Sequence, residues 1–189
     1  ATPGWRGQLV ALLVLPLMIS PVARTYAWIV ILASSGVVNN FLIGAGIIDD
    51  PIRLLFTETA VFIGLVQLFL PLMVLPLISS LENMPSDVVP AARLLGAGWI
   101  AVFLKVILPL TREGLVTGGT LVFTGAITAY ITPAVLGGSR VLMLETLLYQ
   151  RVNIANDIAS GTVIAAILIA TSLGASKLLR KAAQIGMNR

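Results

Sequence analysis

Few side chains in this 189-residue sequence could carry out chemistry. There is no cysteine and no histidine, which excludes thiolate and imidazole metal sites, cysteine nucleophiles and Ser-His-Asp triads. A Gly-x-x-x-x-Gly-Lys-Ser/Thr phosphate loop is absent, because none of the three lysines follows a glycine. The apolar stretches contain no paired aspartates, Ser-Lys pair or deeply placed acidic residue. We therefore expect a chain that is not an enzyme and that binds no metal or cofactor itself.

The polar groups within the apolar stretches are mainly hydroxyls and amides. Four threonines recur at spacings of three, four and four residues, which places them on one helix face: Thr117, Thr120, Thr124 and Thr128. Gln67 and Tyr130 could join this face. Such a face would offer hydrogen bonds without fixed charge to a small polar solute. Threonines also bond back to carbonyls of their own helix, so a structural role is an equally good interpretation.

These groups stand in a very apolar sequence. Hydrophobic residues make up 58% of the chain, charged residues 11%, and the mean hydropathy is +1.01. Soluble domains contain roughly a quarter of charged residues, so the composition indicates an integral membrane protein. The pI is near 10.0, but the basic residues are scattered, without the clusters and interleaved aromatics of a nucleic-acid binder. We expect contact with membrane lipid and none with nucleic acid.

The apolar stretches have the length of helices rather than strands. A helix needs about 20 mostly apolar residues to cross a bilayer. Four stretches meet or approach this length: 7–23, 59–81, 114–139 and 158–176. Residues 25–48 are also uncharged, but their serines, asparagines and glycines favour a folded turn at the outer interface. The sequence thus predicts one all-α transmembrane domain over 1–189 with four spans, a fifth span at 25–48 being the alternative.

Lysine and arginine concentrate on the cytoplasmic side of membranes. Eight of the twelve basic residues fall on one side if the N-terminus, the segment 82–113 and the C-terminal tail share it: Arg6, Arg93, Lys105, Arg112, Lys177, Arg180, Lys181 and Arg189. The segment 82–113 cannot itself be buried in the bilayer. Each of its six charges costs about 2.5–3.5 kcal/mol at a helix centre, against about 0.3–0.6 gained per large apolar residue. We therefore predict that 82–113 is a cytoplasmic loop.

This loop begins with an amphipathic pattern. Asp87 is a natural N-cap, which puts Pro90 at the third helical position, where it removes no intrahelical bond. A helix is predicted over 88–95, and its apolar face consists of Val88, Ala91, Ala92 and Leu95. Gly96 and Gly98 stop that helix and allow a change of direction.

A second amphipathic piece, WIAVFLKVIL, follows in the same loop. We expect it to end at Pro109, and Thr111 to cap the next span. The whole loop could rest on lipid headgroups, or its first helix could dock into the groove of a partner protein. The residues alone leave both interpretations open.

Small residues predict close helix contacts in the spans. They recur four residues apart in two places, first as Gly114 and Gly118, and then as Gly161 and Ala165. A further run consists of Ala166, Ala170 and Gly174.

The cytoplasmic loop resembles that of permease subunits of binding-protein-dependent ABC importers. Their pattern is Glu-Ala-Ala, three residues, Gly, nine residues, Ile, one residue, Leu-Pro. Five of its seven specified residues agree here, namely Ala91, Ala92, Gly96, Leu108 and Pro109, while Val106 stands for Ile and Pro90 for Glu. The stretches SPVARTYAWIVIL, VQLFLPLMVLPL and AYITPAVLGGSR are similar to the spermidine/putrescine branch. The resemblance extends from Gln8 to Lys181.

The resemblance implies the MetI-like helical bundle of type I ABC importers. Six spans are typical of the branch, and since the sequence starts without an initiator methionine, we interpret it as a fragment containing about four of them. It further implies a coupling loop, with Pro90, Ala91, Ala92, Arg93, Gly96, Val106, Leu108 and Pro109 as its marked positions.

The partners implied are cytoplasmic ABC ATPase subunits that use ATP and Mg²⁺, a second permease subunit, identical or different, and an extracytoplasmic solute-binding protein. The expected location is the bacterial inner membrane. The hypothesis is therefore a permease for a small polar solute, polyamines included. The alternative is a stand-alone channel or structural membrane module whose amphipathic loop rests on lipid.

Overall fold

Helices make up the regular secondary structure of the computed structural model, which describes residues 3–185. The first part contains α1 (Pro3–Met18), α2 (Pro21–Leu32), α3 (Val37–Gly44) and α4 (Glu58–Glu82). The next part contains α5 (Val88–Leu94), α6 (Trp99–Val102), a π-helical segment (Phe103–Ile107) and α7 (Leu108–Leu110). The last part contains α8 (Arg112–Ile127), α9 (Ile131–Gly137), α10 (Leu144–Tyr149), a second π-helical segment (Gln150–Ile154) and α11 (Ile158–Ile185). The described residues contain no strand, as the all-α prediction requires.

Three helical stretches are long and apolar enough to cross a membrane, judged by length and composition among the described residues. They are Pro21–Gly44, Glu58–Glu82 and Ile158–Leu179. The pair Arg112–Ile127 and Ile131–Gly137 is bent by 58° and would make a fourth as one broken span. The predicted stretches 59–81 and 158–176 therefore lie inside α4 and α11.

The N-terminal half differs from the sequence-based division. The predicted span 7–23 is divided between α1 and α2, because Pro21 starts a new helix and the residue before a proline disfavours helical backbone. The stretch 25–48, for which the sequence favours a folded turn, is helical except for a short break at 33–36 and its end after Gly44. The stretch Pro21–Gly44 thus has the length of a span.

The polar side chain of Asn39 is accommodated in α3 by hydrogen bonds within the chain. Its side chain is fully buried, with 0% exposure. The Nδ2 amide donates to the carbonyls of Ala33 at 3.1 Å and Ile52 at 3.0 Å, and Oδ1 accepts from the Ile52 N–H at 2.8 Å. Asn39 therefore holds the irregular segment after α3 against the helix break at 33–36, and its polarity reflects this internal contact.

The chain divides into two compact units, and each is described by itself. The first unit comprises the described residues up to Pro71 together with Gly125–Ala170. Its core consists of Leu32, Ala60, Val61 and Leu136, and α2 packs on α9. Thr25 and Thr132, both buried, are hydrogen-bonded across that contact at 3.2 Å. In this unit Gly161 is buried against Val152, as the small-residue pattern predicts.

The second unit comprises Leu72–Thr124 and the described residues from Thr171 onward. In it α8 approaches the second half of α4 closely. A Cβ atom on Gly114 would lie 2.6 Å from the Pro76 carbonyl oxygen, and one on Gly118 would lie 3.0 Å from that of Met73. The predicted contacts at Gly114 and Gly118 are therefore confirmed. Within the described residues no such contact is made at Gly174, since a Cβ there would meet nothing within 4 Å.

Candidate coupling loop and polar pockets

The first helix of the loop forms where the sequence predicts it. It spans Val88–Leu94, and Pro90 occupies its third position. The capping prediction for Asp87 is wrong in its contact. Asp87 occupies the N-cap position in helical backbone conformation and its side chain caps no N–H. Its Oδ1 instead accepts a hydrogen bond from the hydroxyl of Ser86 at 2.8 Å.

Gly96 terminates this helix in the way that the sequence indicates. Its φ is +84°, in the left-handed region that favours glycine. The Gly96 N–H donates to the Arg93 carbonyl at 2.9 Å, and the Ala97 N–H donates to the Ala92 carbonyl at 3.1 Å. This pair of bonds is a Schellman motif, which satisfies carbonyls at the helix end. Gly98 then precedes α6 with ordinary backbone angles, φ −69° and ψ 163°.

The helical backbone continues beyond the predicted stop at Pro109, through α7 to Leu110. Pro109 cannot donate a bond to the carbonyl four residues earlier, and its ring crowds that carbonyl. The chain accommodates it by π-helical backbone over Phe103–Ile107, where the Leu108 N–H bonds to the Phe103 carbonyl. Thr111 does not cap the next helix either. Its hydroxyl donates back to the Ile107 carbonyl at 3.0 Å.

The loop exposes large apolar side chains. Leu94 is 89% exposed, Leu95 is 88% exposed and Ile100 is 73% exposed. The exposure is centred on the turn at Gly96. It overlaps only part of the predicted face, of which Ala91 and Leu95 are exposed whereas Val88 and Ala92 are half-buried. Large apolar side chains exposed together in this way are typical of surfaces that contact lipid or another protein.

Arg93 and Trp99 face each other across the glycine turn. The guanidinium carbon of Arg93 lies 5.4 Å from the centre of the Trp99 ring, within the range of a cation–π contact. The contact links α5 to α6 and so supports the fold of the turn. Of the other marked positions, Pro90, Ala91 and Pro109 are exposed, Leu108 is 38% exposed and Val106 is half-buried in the π-helical segment.

The predicted threonine face is interrupted. Helix α8 ends at Ile127, so Thr128 follows it instead of extending its face. The break has a physical cause: in a continuous helix, the Pro133 ring would crowd the carbonyl of residue 129, whereas in the first turn of α9 it is tolerated. Thr120 donates to the Val116 carbonyl at 2.7 Å and Thr128 to the Gly125 carbonyl at 3.4 Å. Thr117 is exposed on α8.

The candidate path residues belong to different units. Thr117, Thr120 and Thr124 lie in the second unit, whereas Gln67, Thr128 and Tyr130 lie in the first. Gln67 accepts a hydrogen bond from Trp28 Nε1 at 3.5 Å, at the edge of an apolar cavity of about 450 Å³ between α1, α2 and α4. Within the first unit, therefore, Gln67 is paired with an indole.

Tyr130 belongs to a second pocket that sequence reasoning missed. Its ring is stacked on that of Tyr149, with centroids 4.4 Å apart. The pocket has a volume of about 220 Å³, and Ser139 and Gln150 also line it. Nothing in the spacing of Tyr130 and Tyr149 indicates their contact, because it depends on the bend before α9 and the return of the chain through α10.

Asp157 follows the second π-helical segment and caps α11. Its Oδ1 accepts from the Ser160 N–H at 3.1 Å. Hydrogen bonds from the hydroxyl and the backbone N–H of Ser160 hold the pKa of the Asp157 carboxyl below its ordinary value. Arg151, whose Nη1 lies 4.0 Å from Asp157 Oδ2, acts in the same direction. This acidic residue thus has a structural task at the start of α11.

Comparison with known proteins gives a family match over residues 9–179, to the binding-protein-dependent transport system inner membrane component family. The spermidine/putrescine transport system permease protein PotB of Haemophilus influenzae is 38% identical over 190 residues, which cover 97% of this chain and 66% of the relative. The protein of the same name from Escherichia coli is 34% identical over 187 residues, covering 95% and 68%.

A more distant relative is the inner membrane ABC transporter permease protein YdcU of Escherichia coli. It is 30% identical over 180 residues, covering 87% of this chain and 57% of the relative. The chain therefore spans about two thirds of the length of the two most similar relatives named above, and less of this one.

Proposed function

Since this chain belongs to the family of inner membrane components of binding-protein-dependent transport systems, we propose that it works as a permease subunit of an ATP-driven importer. The family match confirms the resemblance seen in the loop motif and places the chain in the inner membrane. The alternative of a stand-alone channel or structural module is not favoured by these findings. The match covers the loop and all the candidate spans within residues 9–179.

The observation that carries the proposal is the architecture of the loop 82–113. A short helix ends at a left-handed glycine, and the leucines beside the turn are almost fully exposed. A protein surface that buries such leucines would gain about 25 cal/mol for each Å² of apolar area removed from water. The proposed partner surface is a groove on a cytoplasmic ABC ATPase subunit. Pro90, Ala91, Ala92, Arg93 and Gly96 belong to the docking helix and its turn.

Energy would then come from outside this chain. The sequence has no phosphate-binding loop of the Walker type, so ATP and Mg²⁺ would be used by the ATPase subunit. A second permease subunit and an extracytoplasmic binding protein would complete the transporter, and lipid would surround the candidate spans. The residues after the turn, Val106, Leu108 and Pro109, would transmit motion of the docking helix to α8 through nearly continuous helical backbone.

The proposed solute is a linear polyamine. The two relatives named for spermidine and putrescine transport are 38% and 34% identical over nearly the whole chain. Candidate path positions in the second unit are Thr117, Thr120 and Thr124, and in the first unit Gln67, Thr128 and Tyr130. Of the threonines in the second unit, exposed Thr117 is the strongest candidate for solute contact, because the Thr120 hydroxyl is bonded to its own helix.

The test is reconstitution of the transporter with the ATPase, second permease and binding protein from neighbouring genes. We expect the chain to co-purify with the ATPase in detergent and to support ATP-dependent uptake of putrescine into proteoliposomes. A double replacement of Leu94 and Leu95 by serine should abolish co-purification while membrane insertion is retained. Leu178, exposed near the end of α11, provides the matched control in Leu178→Ser. A chain that conducts solute without any ATPase would refute the proposal.

A further inference from the structure

The pocket around Tyr130 and Tyr149 is a small, mixed polar and apolar cavity within the first unit. Tyr130 stands at the start of α9 and Tyr149 at the end of α10, and their stacked rings meet at an interplanar angle of 30°. Ser139, Gln150 and the aliphatic side chain of Ile154 complete the parts of the wall that could touch a ligand. A volume of about 220 Å³ holds several water-sized groups of about 30 Å³ each.

The chemistry of this lining suits a cation that carries an alkyl chain. Aromatic rings attract ammonium groups through their negative faces. The hydroxyls of tyrosine and serine and the amide oxygen of glutamine accept hydrogen bonds, and a primary ammonium has three N–H donors to offer. Thr146 also lines the pocket, but its hydroxyl already bonds the carbonyl and the N–H of Met143. It therefore shapes the pocket and leaves the tyrosines, Ser139 and Gln150 as ligand groups.

None of the residues that line the pocket is acidic. A fixed carboxylate would bind a cation tightly, whereas rings and neutral oxygens bind it weakly. Weak binding is what a transport path requires, because a solute must enter a site and also leave it. The lack of acidic residues deep in the apolar stretches, which at first argues against a cationic solute, is thus compatible with one.

We propose that this tyrosine pocket is a binding subsite for a primary ammonium group of the transported amine. The proposal rests on the proposed function for the identity of the solute. The ammonium lies against the exposed parts of the Tyr130 and Tyr149 rings, and the hydroxyl and amide oxygens accept its hydrogens. The adjoining methylene groups contact Ile154 and the ring edges.

Two arginines flank the pocket and oppose a cation. Arg151 follows Gln150, but its guanidinium lies 4.0 Å from the Asp157 carboxylate, which offsets its charge. Arg140 follows Ser139 and is exposed to solvent. Solvent and salt reduce the effect of an exposed charge at the mouth. Neither arginine is among the residues that line the pocket.

The experiment is uptake of putrescine by the complete transporter in proteoliposomes, over a range of concentrations. Tyr149→Leu removes the ring and the hydroxyl, whereas Tyr149→Phe removes only the hydroxyl. Tyr26, the third tyrosine of the chain, is exposed on α2 and does not line the pocket, so Tyr26→Leu is the matched control. We expect Tyr149→Leu to raise the KM for putrescine by about tenfold with little change in maximal rate. Tyr149→Phe should raise it by less than about threefold, since the ring face is kept.

Each result decides one question. If putrescine is taken up and all three variants have the wild-type KM, the pocket is not a subsite, although the proposed function stands. If Tyr26→Leu raises the KM as much as Tyr149→Leu does, the effect is general and the subsite is refuted. If the unmodified transporter takes up no putrescine or spermidine with all of its partners present, the proposed solute is wrong and the subsite falls with it.

Discussion

Replacing Gly96 by alanine should weaken binding of the ATPase subunit without unfolding the permease. Gly96 has a φ of +84°, and the two Schellman hydrogen bonds at the end of α5 depend on that conformation. A Cβ atom added there would meet nothing within 4 Å. The penalty of the substitution therefore comes from the backbone conformation alone, with no steric contribution from neighbouring atoms.

The size of this penalty can be worked out from the backbone. A left-handed conformation costs an L-residue about 1–2 kcal/mol relative to glycine. At 1.36 kcal/mol for each factor of ten, the native turn becomes about 5- to 30-fold less populated relative to other loop conformations. If only the native turn binds the ATPase, the apparent dissociation constant rises by up to the same factor. The dissociation constant of Gly96→Asn should lie between those of the wild type and Gly96→Ala, because asparagine tolerates the left-handed region better than alanine does.

Gly98→Ala is the matched control two residues away. Gly98 has ordinary backbone angles and equally open surroundings. Alanine at this position would stabilise the fold by about 0.4–1 kcal/mol, because it restricts the unfolded chain. It would destabilise the fold by a similar amount, because it is a poorer N-cap for α6 than glycine. The net change in stability should therefore be small. The assay is titration of the solubilised permease complex with labelled ATPase, together with solute-stimulated ATP hydrolysis. Wild-type affinity in Gly96→Ala, or an equal loss in Gly98→Ala, would refute the reasoning.

Three further predictions concern packing, a buried amide and a helix cap. Gly118→Ala should lower the unfolding midpoint and reduce the free energy of unfolding by about 1–3 kcal/mol, because the added Cβ would lie 3.0 Å from the Met73 carbonyl oxygen. Gly119→Ala should leave the midpoint unchanged, because a Cβ there would meet nothing within 4 Å. Asn39→Ala should destabilise the protein by about 1–3 kcal/mol, since it leaves buried backbone groups unpaired, and increased hydrogen exchange of residues 45–57 would report the loosened segment. The lowered pKa of Asp157 means that its contribution to stability is complete above the ordinary value of 3.8 and is lost as the pH falls through the lower folded value. Asp157→Asn keeps the cap but not the charge, so the thermal unfolding of this variant and of the wild type should converge as the pH falls below 3.8. A constant difference down to about pH 2 would contradict this.

The features of the loop that could be predicted are those determined by neighbouring residues. An i, i+3, i+4, i+7 apolar pattern with a proline near its start and a glycine at its end is sufficient for a helix of about two turns, and α5 ends one residue before the predicted boundary. The left-handed glycine follows from the same local pattern. The hydrogen bond between Asp87 and Ser86 could not be predicted, since small differences in geometry decide whether the Asp87 carboxylate accepts from the Ser86 hydroxyl or from a backbone N–H of α5.

The prolines show that neighbouring residues alone do not determine the backbone conformation. Pro71 and Pro76 lie inside α4, which continues through both, whereas Pro133 follows a helix break at residues 128–130 and Pro109 follows a π-helical segment. Each proline removes the same hydrogen bond and creates the same crowding. Whether the backbone breaks, widens or tolerates the loss depends on what packs around it, and that packing involves residues remote in the sequence. The pocket of Tyr130 and Tyr149 could not be predicted for the same reason, because α9 and α10 meet only after the bend at residues 128–130.

If the loop docks on an ATPase subunit as proposed, Pro90, which stands where the motif has glutamate, would change how the loop holds that partner. A carboxylate at that position could form a charged contact, whereas proline can offer only apolar surface and a fixed backbone angle. The charged group that remains in α5 is Arg93, and it lies over the ring of Trp99 within this chain. The groups left to face a partner around the turn are therefore mainly leucines, almost fully exposed. Burial of apolar area is non-directional, so in the proposed docking the geometry would have to come from a rigid turn. The Gly96 Schellman motif and the Arg93–Trp99 contact are the two features of the turn that would supply this rigidity.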